Sequence, residues 1–309
     1  MSATGSAGAA ALEPPGRLDS VVRVVGAYVA LTKPRIIELL LLTTLPTMVI
    51  AARGLPSVRL MVTTLVGGAL AAGGANALNM VYDRDIDAVM SRTKRRPLVT
   101  GAVTPAAAVA FALALEAGAF AELWGTANLL AAVLALSATA FYVAVYTAWL
   151  KRSSPQNIVI GGAAGAMPVL VGWAAVTGRL GLVPLVLFAI IFLWTPPHFW
   201  ALAVRYRGDY AAAGIPMLPA VADLPTVASR ILAYTVVLWV VSLVVAPLAH
   251  LGWPYVVVAL AMGAVFVHRA WGLRSDPSPK RAMSLFTYSI SYLSVLFIAM
   301  GADVLLVHP

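Results

Sequence analysis

The sequence predicts an all-α polytopic membrane protein: nine transmembrane helices around a central cavity, with the active-site loops on the cytoplasmic face. Three observations predict it. Apolar residues make up 61% of the 309 and charged residues only 11%, against roughly half and a quarter in soluble chains. A soluble domain of this size needs a charged surface that this composition does not supply, so the lipid bilayer is the fitting solvent. Nine apolar stretches are long enough to span it. The basic residues, finally, collect on one side of those stretches. The net charge of +9 then follows the positive-inside rule, and nucleic acid is not expected as a partner. With no cysteine, disulfides, thiol catalysis and thiolate metal sites are excluded.

Taken in order, residues 1–25 are small and Pro/Gly-rich at their start and read as a disordered tail without the apolar core of a signal peptide. The transmembrane domain is expected over 26–309. Its first span covers about 36–52, and the second runs from about 60 to an acidic cluster after Tyr82. The third follows Thr104-Pro105, an N-cap with a first-turn proline. The fourth covers about 127–150, divided from the third by a short gap around 122–126. Ser154-Pro155 gives the start signal for the fifth. The last four cover about 181–204, 227–249, 255–271 and 285–307.

With the N-terminus inside, 18 of the 21 Lys and Arg residues fall on one face, and only Arg53, Arg59 and Arg179 on the other. Merging two spans would reverse every later loop and spoil that asymmetry. The expected location is therefore the membrane, in a bacterium the plasma membrane, with the N-terminus cytoplasmic and the C-terminus outside.

Three of the twelve acidic residues, Asp83, Asp85 and Asp87, lie at the cytoplasmic end of span two. Asn79, Asp83 and Asp87 are four apart, so a continuing helix puts them on one face, with Asn76 a turn earlier and Asp85 pointing elsewhere. Carboxylates at the end of a membrane helix are costly without a task. Three oxygen-bearing groups in a row suit a hard cation such as Mg²⁺, which also takes phosphate oxygens. Arg92-Thr-Lys94-Arg95-Arg96 follows directly and suits a polyanion. A second polar segment, Tyr206-Arg207-Gly208-Asp209, follows span six and so lies on the same face.

These motifs resemble the intramembrane UbiA-type prenyltransferases, whose first motif is Asn79-x-x-x-Asp83-x-x-x-Asp87 here. The stretch from Asp83 through Arg92 and Arg96 to Gly101 is similar to the haem O synthase (protohaem IX farnesyltransferase) branch of that family. So are Lys151-Arg-Ser-Ser-Pro-Gln-Asn157, Trp194-Thr-Pro-Pro-His198 and Asp209-Tyr-Ala-Ala-Ala-Gly214-Ile-Pro-Met-Leu-Pro219. The wider family carries two aspartates four apart in its second motif, whereas the position four after Asp209 is Ala213 here, a pattern this branch shares.

The resemblance implies farnesyl transfer from farnesyl diphosphate to a vinyl group of haem B, giving haem O and diphosphate. Haem B is then a substrate, Mg²⁺ the cofactor, and a haem A synthase a downstream partner. It implies Asn79, Asp83, Asp87 and Asp209 as catalytic and metal-holding residues. It implies Arg92, Lys94, Arg96, Lys151, Asn157, His198, Tyr206 and Arg207 as substrate-binding residues. His198, inside span six beside Pro196-Pro197, either handles haem or caps backbone freed by the prolines. Glu116 has no visible partner in the sequence. Two other readings stay open: a prenyltransferase acting on a quinone precursor, and a polytopic transporter.

Overall fold

The computed structural model describes residues 17–307, and every regular element among them is a helix. Helix α1 covers Arg17–Thr32 and α2 covers Pro34–Ala52. Then come α3 (Val58–Tyr82), the short α4 (Arg84–Val89) and α5 (Pro105–Thr126). They are followed by α6 (Leu129–Ser153), α7 (Asn157–Thr177), α8 (Leu182–Arg205) and the short α9 (Arg207–Ala212). Helices α10 (Leu224–Leu248), α11 (Trp253–Ser275) and α12 (Pro279–Val307) complete the chain. Eight of these (α3, α5–α8 and α10–α12) are long and apolar enough to cross a membrane, and they match the second to ninth expected spans. The first expected span is covered by α2, 19 residues long and apolar over Leu42–Ala52.

Three expectations shift. Of the tail placed at 1–25, residues 1–16 lie outside the described residues, but 17–25 belong to α1. Valines at 21, 22, 24 and 25 outweigh the small residues before them and are exposed in an apolar row. The third and fourth spans divide at Ala127-Asn128, not at 122–126. There the Asn128 side chain accepts the Ala131 N–H at 3.0 Å as an N-cap. Helix α7 begins at Asn157, two residues after the proline signal, because Ser154 accepts the Gln156 N–H and makes a turn instead. The Thr104 cap stands as expected, accepting the Ala107 N–H.

Helices α2 and α7 sit between two groups of spans. On one side are α3, α5 and α6, and on the other α8 and α10–α12. The second group holds the large side chains: Trp200, Tyr255, Phe266, Tyr292 and Phe297 are fully buried there. The first group is built from small residues that let backbones approach, as expected where lipid offers no hydrophobic drive between helices. A Cβ on Gly74 would meet the Glu116 carboxylate of α5 at 2.5 Å. Glu116 thereby gains its partner, since its Oε1 accepts a hydrogen bond from Thr139 of α6 at 3.0 Å. Gly68 and Gly165, by contrast, line an opening between α2, α3, α6 and α7.

Candidate active site

The first acidic motif straddles a bend. Helix α3 ends at Tyr82, and Asp83 (φ −86°, ψ 8°) joins it to α4. The i→i+4 ladder survives the bend: the Asp83 N–H donates to Asn79 O at 2.9 Å and the Asp87 N–H to Asp83 O at 2.8 Å. Asn79, Asp83 and Asp87 therefore keep one face and are buried at 3, 0 and 2% exposure. Asp85 is exposed on the other face, where Arg152 grips both its oxygens at 2.8 Å. That guanidinium holds the Asp85 carboxyl down at about 2.

Cations close around the buried face. Lys151 donates to Asp83 Oδ2, and Arg96 Nη1 spans both Asp87 oxygens at 2.8 and 2.6 Å. Lys33 Nζ donates to Asn79 Oδ1 at 2.7 Å. Burial pushes the Lys33 ammonium down to about 7, and the nearby charges of Arg96 and Lys151 add to the effect. The site is thus short of negative charge, the condition a polyanion relieves. One acceptor stands apart: Asp83 Oδ1 is buried and accepts no hydrogen bond.

The second motif meets the first. Ser91, just past α4, donates to Asp209 Oδ2 of α9 at 2.6 Å. The Arg92 guanidinium lies 5.7 Å from the Tyr206 ring centre. Lys94 and Arg207 lie exposed at the same end and make no ion pair with any described residue. Among the described residues no three His, Asp or Glu side chains converge as a metal cage.

Asn157, the first residue of α7, is fully buried, and neither its Oδ1 nor its Nδ2 has a partner. An orphaned amide of this kind costs about 1–3 kcal/mol, which a ligand can repay. His198 is half-buried between α8 and α12. Its Nδ1 meets Ser289 Oγ at 2.7 Å, so it does not cap the backbone freed by the prolines.

Inward from Asn79 lies the apolar opening, about 900 Å³ with the part open to its surroundings included. Asn76 and Tyr142 line it on the Asn79 side, and Thr64, Ala135 and Val171 lie deepest. Along α3, Asn76 to Thr64 is about 18 Å at 1.5 Å per residue.

Sequence reasoning missed Lys33, Ser91, Thr147 and Ser289. Thr147 accepts from Asn79 Nδ2 at 3.0 Å. It is brought there by ten residues of α6, Phe141–Leu150, wound as a π-helix. Such turns occur mostly as single bulges and often at functional sites. The same winding stacks Tyr142 on Tyr146 at 5.3 Å, in space left because Gly161 has no Cβ. Only Lys33 had a legible signal, a cation directly before the proline that opens an apolar helix.

Known proteins share both the fold and the sequence. Residues 40–299 match the model of the UbiA prenyltransferase family. Curated relatives include the protoheme IX farnesyltransferases of a Parafrankia species, 51% identical over 95% of each chain, and of Mycobacterium avium, 52% identical over 94% of each. A solved structure of a digeranylgeranylglyceryl phosphate synthase covers 91% of this chain and 98% of its own, with TM-score 0.75 and 16% identity. A UbiA homologue from Archaeoglobus fulgidus, bound to GPP and Mg²⁺, covers 90% and 99%, with TM-score 0.62 and 19% identity. An all-helical membrane fold, a two-motif polar face and a family match over most of the chain agree: this chain belongs to the UbiA prenyltransferase family.

Proposed function

We propose that the chain transfers the farnesyl group of farnesyl diphosphate to a vinyl group of haem B, giving haem O and diphosphate. One observation carries the reading: a buried set of carboxylates and cations stands at one end of a long apolar cavity, as an amphiphile with a diphosphate head requires. Identity of about half to named farnesyltransferases over nearly the full chain supports haem B as the acceptor.

Lys33, Arg96 and Lys151 turn from Asn79, Asp87 and Asp83 to the diphosphate oxygens, with Arg92, Lys94 and Arg207 at the rim. The donor set fits Mg²⁺. Asp83 Oδ1 is a buried carboxylate oxygen that accepts no hydrogen bond and has only Arg152 Nη2 nearby, at 3.9 Å, and Mg²⁺ is held by one or two carboxylates plus substrate phosphates rather than a full protein cage. Asn79, Asp83 and Asp87 would hold it, with Asp209 across from them, and when bound it neutralises the charge that develops on the leaving diphosphate. The farnesyl chain lies along the cavity past Tyr142. Tyr206 supports Arg92 by its ring face. The apolar walls keep water from the allylic cation until the vinyl group attacks. Water then adds to the resulting cation beside the porphyrin and gives up a proton to solvent, which leaves a hydroxyl. A haem A synthase would take that product onward.

The test is diphosphate release from farnesyl diphosphate, with haem B, a benzoate-type quinone precursor or no acceptor, each with and without Mg²⁺. Release that needs haem B and Mg²⁺ is expected. Release with the benzoate alone would reassign the acceptor, and none under any condition would revive a transporter.

Asn157 binds a substrate oxygen in this reading. Asn157→Leu should leave the melting temperature unchanged or raise it, because it removes two unsatisfied buried atoms, while cutting kcat/KM by about tenfold or more. A large fall in melting temperature would mean that the amide is satisfied within the fold.

The orientation follows the charge asymmetry. A reporter inserted near Lys94 should lie in the cytoplasm and one fused at the C-terminus outside it. Both on one side would refute the odd number of crossings between them.

A further inference from the structure

At the contact of α8 with α12, Trp194, His198, Phe286 and Ser289 form a closed set. The imidazole lies between two rings: its centre is 4.1 Å from that of Trp194 at 19° and 4.7 Å from that of Phe286 at 31°. Trp194 Nε1 donates to the Ser289 carbonyl at 2.8 Å, which ties the same turn of α12 to α8. Ser289 is fully buried.

The direction of the His198–Ser289 hydrogen bond can be worked out. A serine hydroxyl has one proton. Ser289 Oγ lies 2.6 Å from the Phe286 carbonyl, which can only accept, so that proton is spent there. Oγ must then accept from His198 across the 2.7 Å contact, and Nδ1 carries the ring proton. In a neutral imidazole this leaves Nε2 unprotonated, with its lone pair in the ring plane. Nε2 makes no hydrogen bond to any described residue, and it is not among the sealed polar atoms that lack a partner. The two flanking rings and the bond to Ser289 fix the direction of that lone pair. This is the arrangement of a metal-ligating histidine, whose second nitrogen donates to an outer group that sets tautomer and orientation.

We infer that Ser289 is a positioning residue: it holds His198 as the Nδ1–H tautomer, so that Nε2 ligates the iron of the haem substrate. The inference rests on the reading of haem B as acceptor. A ligand at the iron grips the porphyrin by its centre and leaves the vinyl-bearing edge free to meet the allylic carbon. It also selects iron porphyrin over the metal-free ring, which contacts at the rim alone would not do.

The test titrates ferric protoporphyrin IX and metal-free protoporphyrin IX into detergent-purified wild type, Ser289→Ala and His198→Ala, reading the Soret band and taking a melting curve of each. Wild type should bind the iron porphyrin more tightly and shift its Soret band. Ser289→Ala should weaken iron-porphyrin binding by about 10- to 100-fold, the usual effect of losing such an outer partner. It should leave metal-free binding and the farnesyl diphosphate KM unchanged. His198→Ala should lose the shift, and added imidazole should restore it. Equal weakening of both porphyrins in Ser289→Ala would make the residue a packing element and overturn the inference, as would a wild-type spectrum in that variant. If Ser289→Ala does not survive purification, Ser289→Thr keeps the hydroxyl and should keep the shift; a folded Ser289→Thr without it overturns the inference too. Failure of the acceptor reading looks different: wild type itself would bind neither porphyrin and release no diphosphate in response to haem.

Discussion

Asp83→Asn and Asp87→Asn should each lower turnover by a factor on the order of 10³, the effect of losing an electrostatic group aimed at developing charge. Both carboxylates are buried, and each is the charge partner of a cation that the diphosphate must recruit, Lys151 for Asp83 and Arg96 for Asp87. Neutralising either removes negative charge from the metal side and leaves a cation without its counter-charge. Breaking a buried pair costs about 3–5 kcal/mol of stability. Melting curves and membrane yield are therefore measured beside diphosphate release, and a folded, inserted, inactive protein is the expected outcome. Asp85→Asn is the control. Its partner Arg152 is near the surface, where such pairs are worth about 0–1 kcal/mol, so activity should stay within a few-fold of wild type. Near-wild-type turnover of Asp83→Asn or Asp87→Asn at saturating Mg²⁺ would end the metal assignment. Equal loss at all three positions would mean that the buried face has no privileged role.

Gly68→Phe should change which diphosphate is used. Gly68 lines the cavity eight residues beyond Asn76 along α3, about 12 Å deeper at 1.5 Å per residue. A phenyl group there occupies the space of the last isoprene unit of a farnesyl chain. Five buried carbons at about 0.8 kcal/mol each amount to roughly 4 kcal/mol, a factor on the order of 10³ in kcat/KM. The ten-carbon geranyl diphosphate ends short of the plug and should lose little, so the preference between the two chains should reverse. Parallel losses for both substrates would show that the chain does not lie along this cavity.

Most of the fold was legible because a bilayer leaves few choices: apolar length and loop charge place the helices, and the cap at Thr104 is local. The buried face of Asn79, Asp83 and Asp87 was legible too, because it depends only on a four-residue repeat that survives the bend at Asp83. What closes around that face was not. Lys33 reaches Asn79 across 46 positions, Lys151 reaches Asp83 across 68 and Ser91 reaches Asp209 across 118. Each contact is set by the rotation of one helix against another, which spacing within either helix does not encode. The π-helical stretch was illegible for a related reason. Its sequence, FYVAVYTAWL, is as compatible with α turns, and neighbours such as Gly161 make room for the wider winding. Residues 17–25 were misjudged because their valines were weighed together with the polar stretch before them.

The wide turns of α6 make the chain's length part of its chemistry. A residue taken out of 141–150 would leave a span still apolar and still long enough to cross the bilayer, so insertion, yield and topology would pass unremarked. Every side chain beyond the deletion would nevertheless swing by roughly a quarter turn around the helix axis. Lys151 and Arg152 lie just past that stretch and would be carried away from Asp83 and Asp85. In this chain, then, a harmful change need not replace any residue named above. A shift in counting, invisible to hydropathy and to the membrane, is enough to separate the two halves of the anion site.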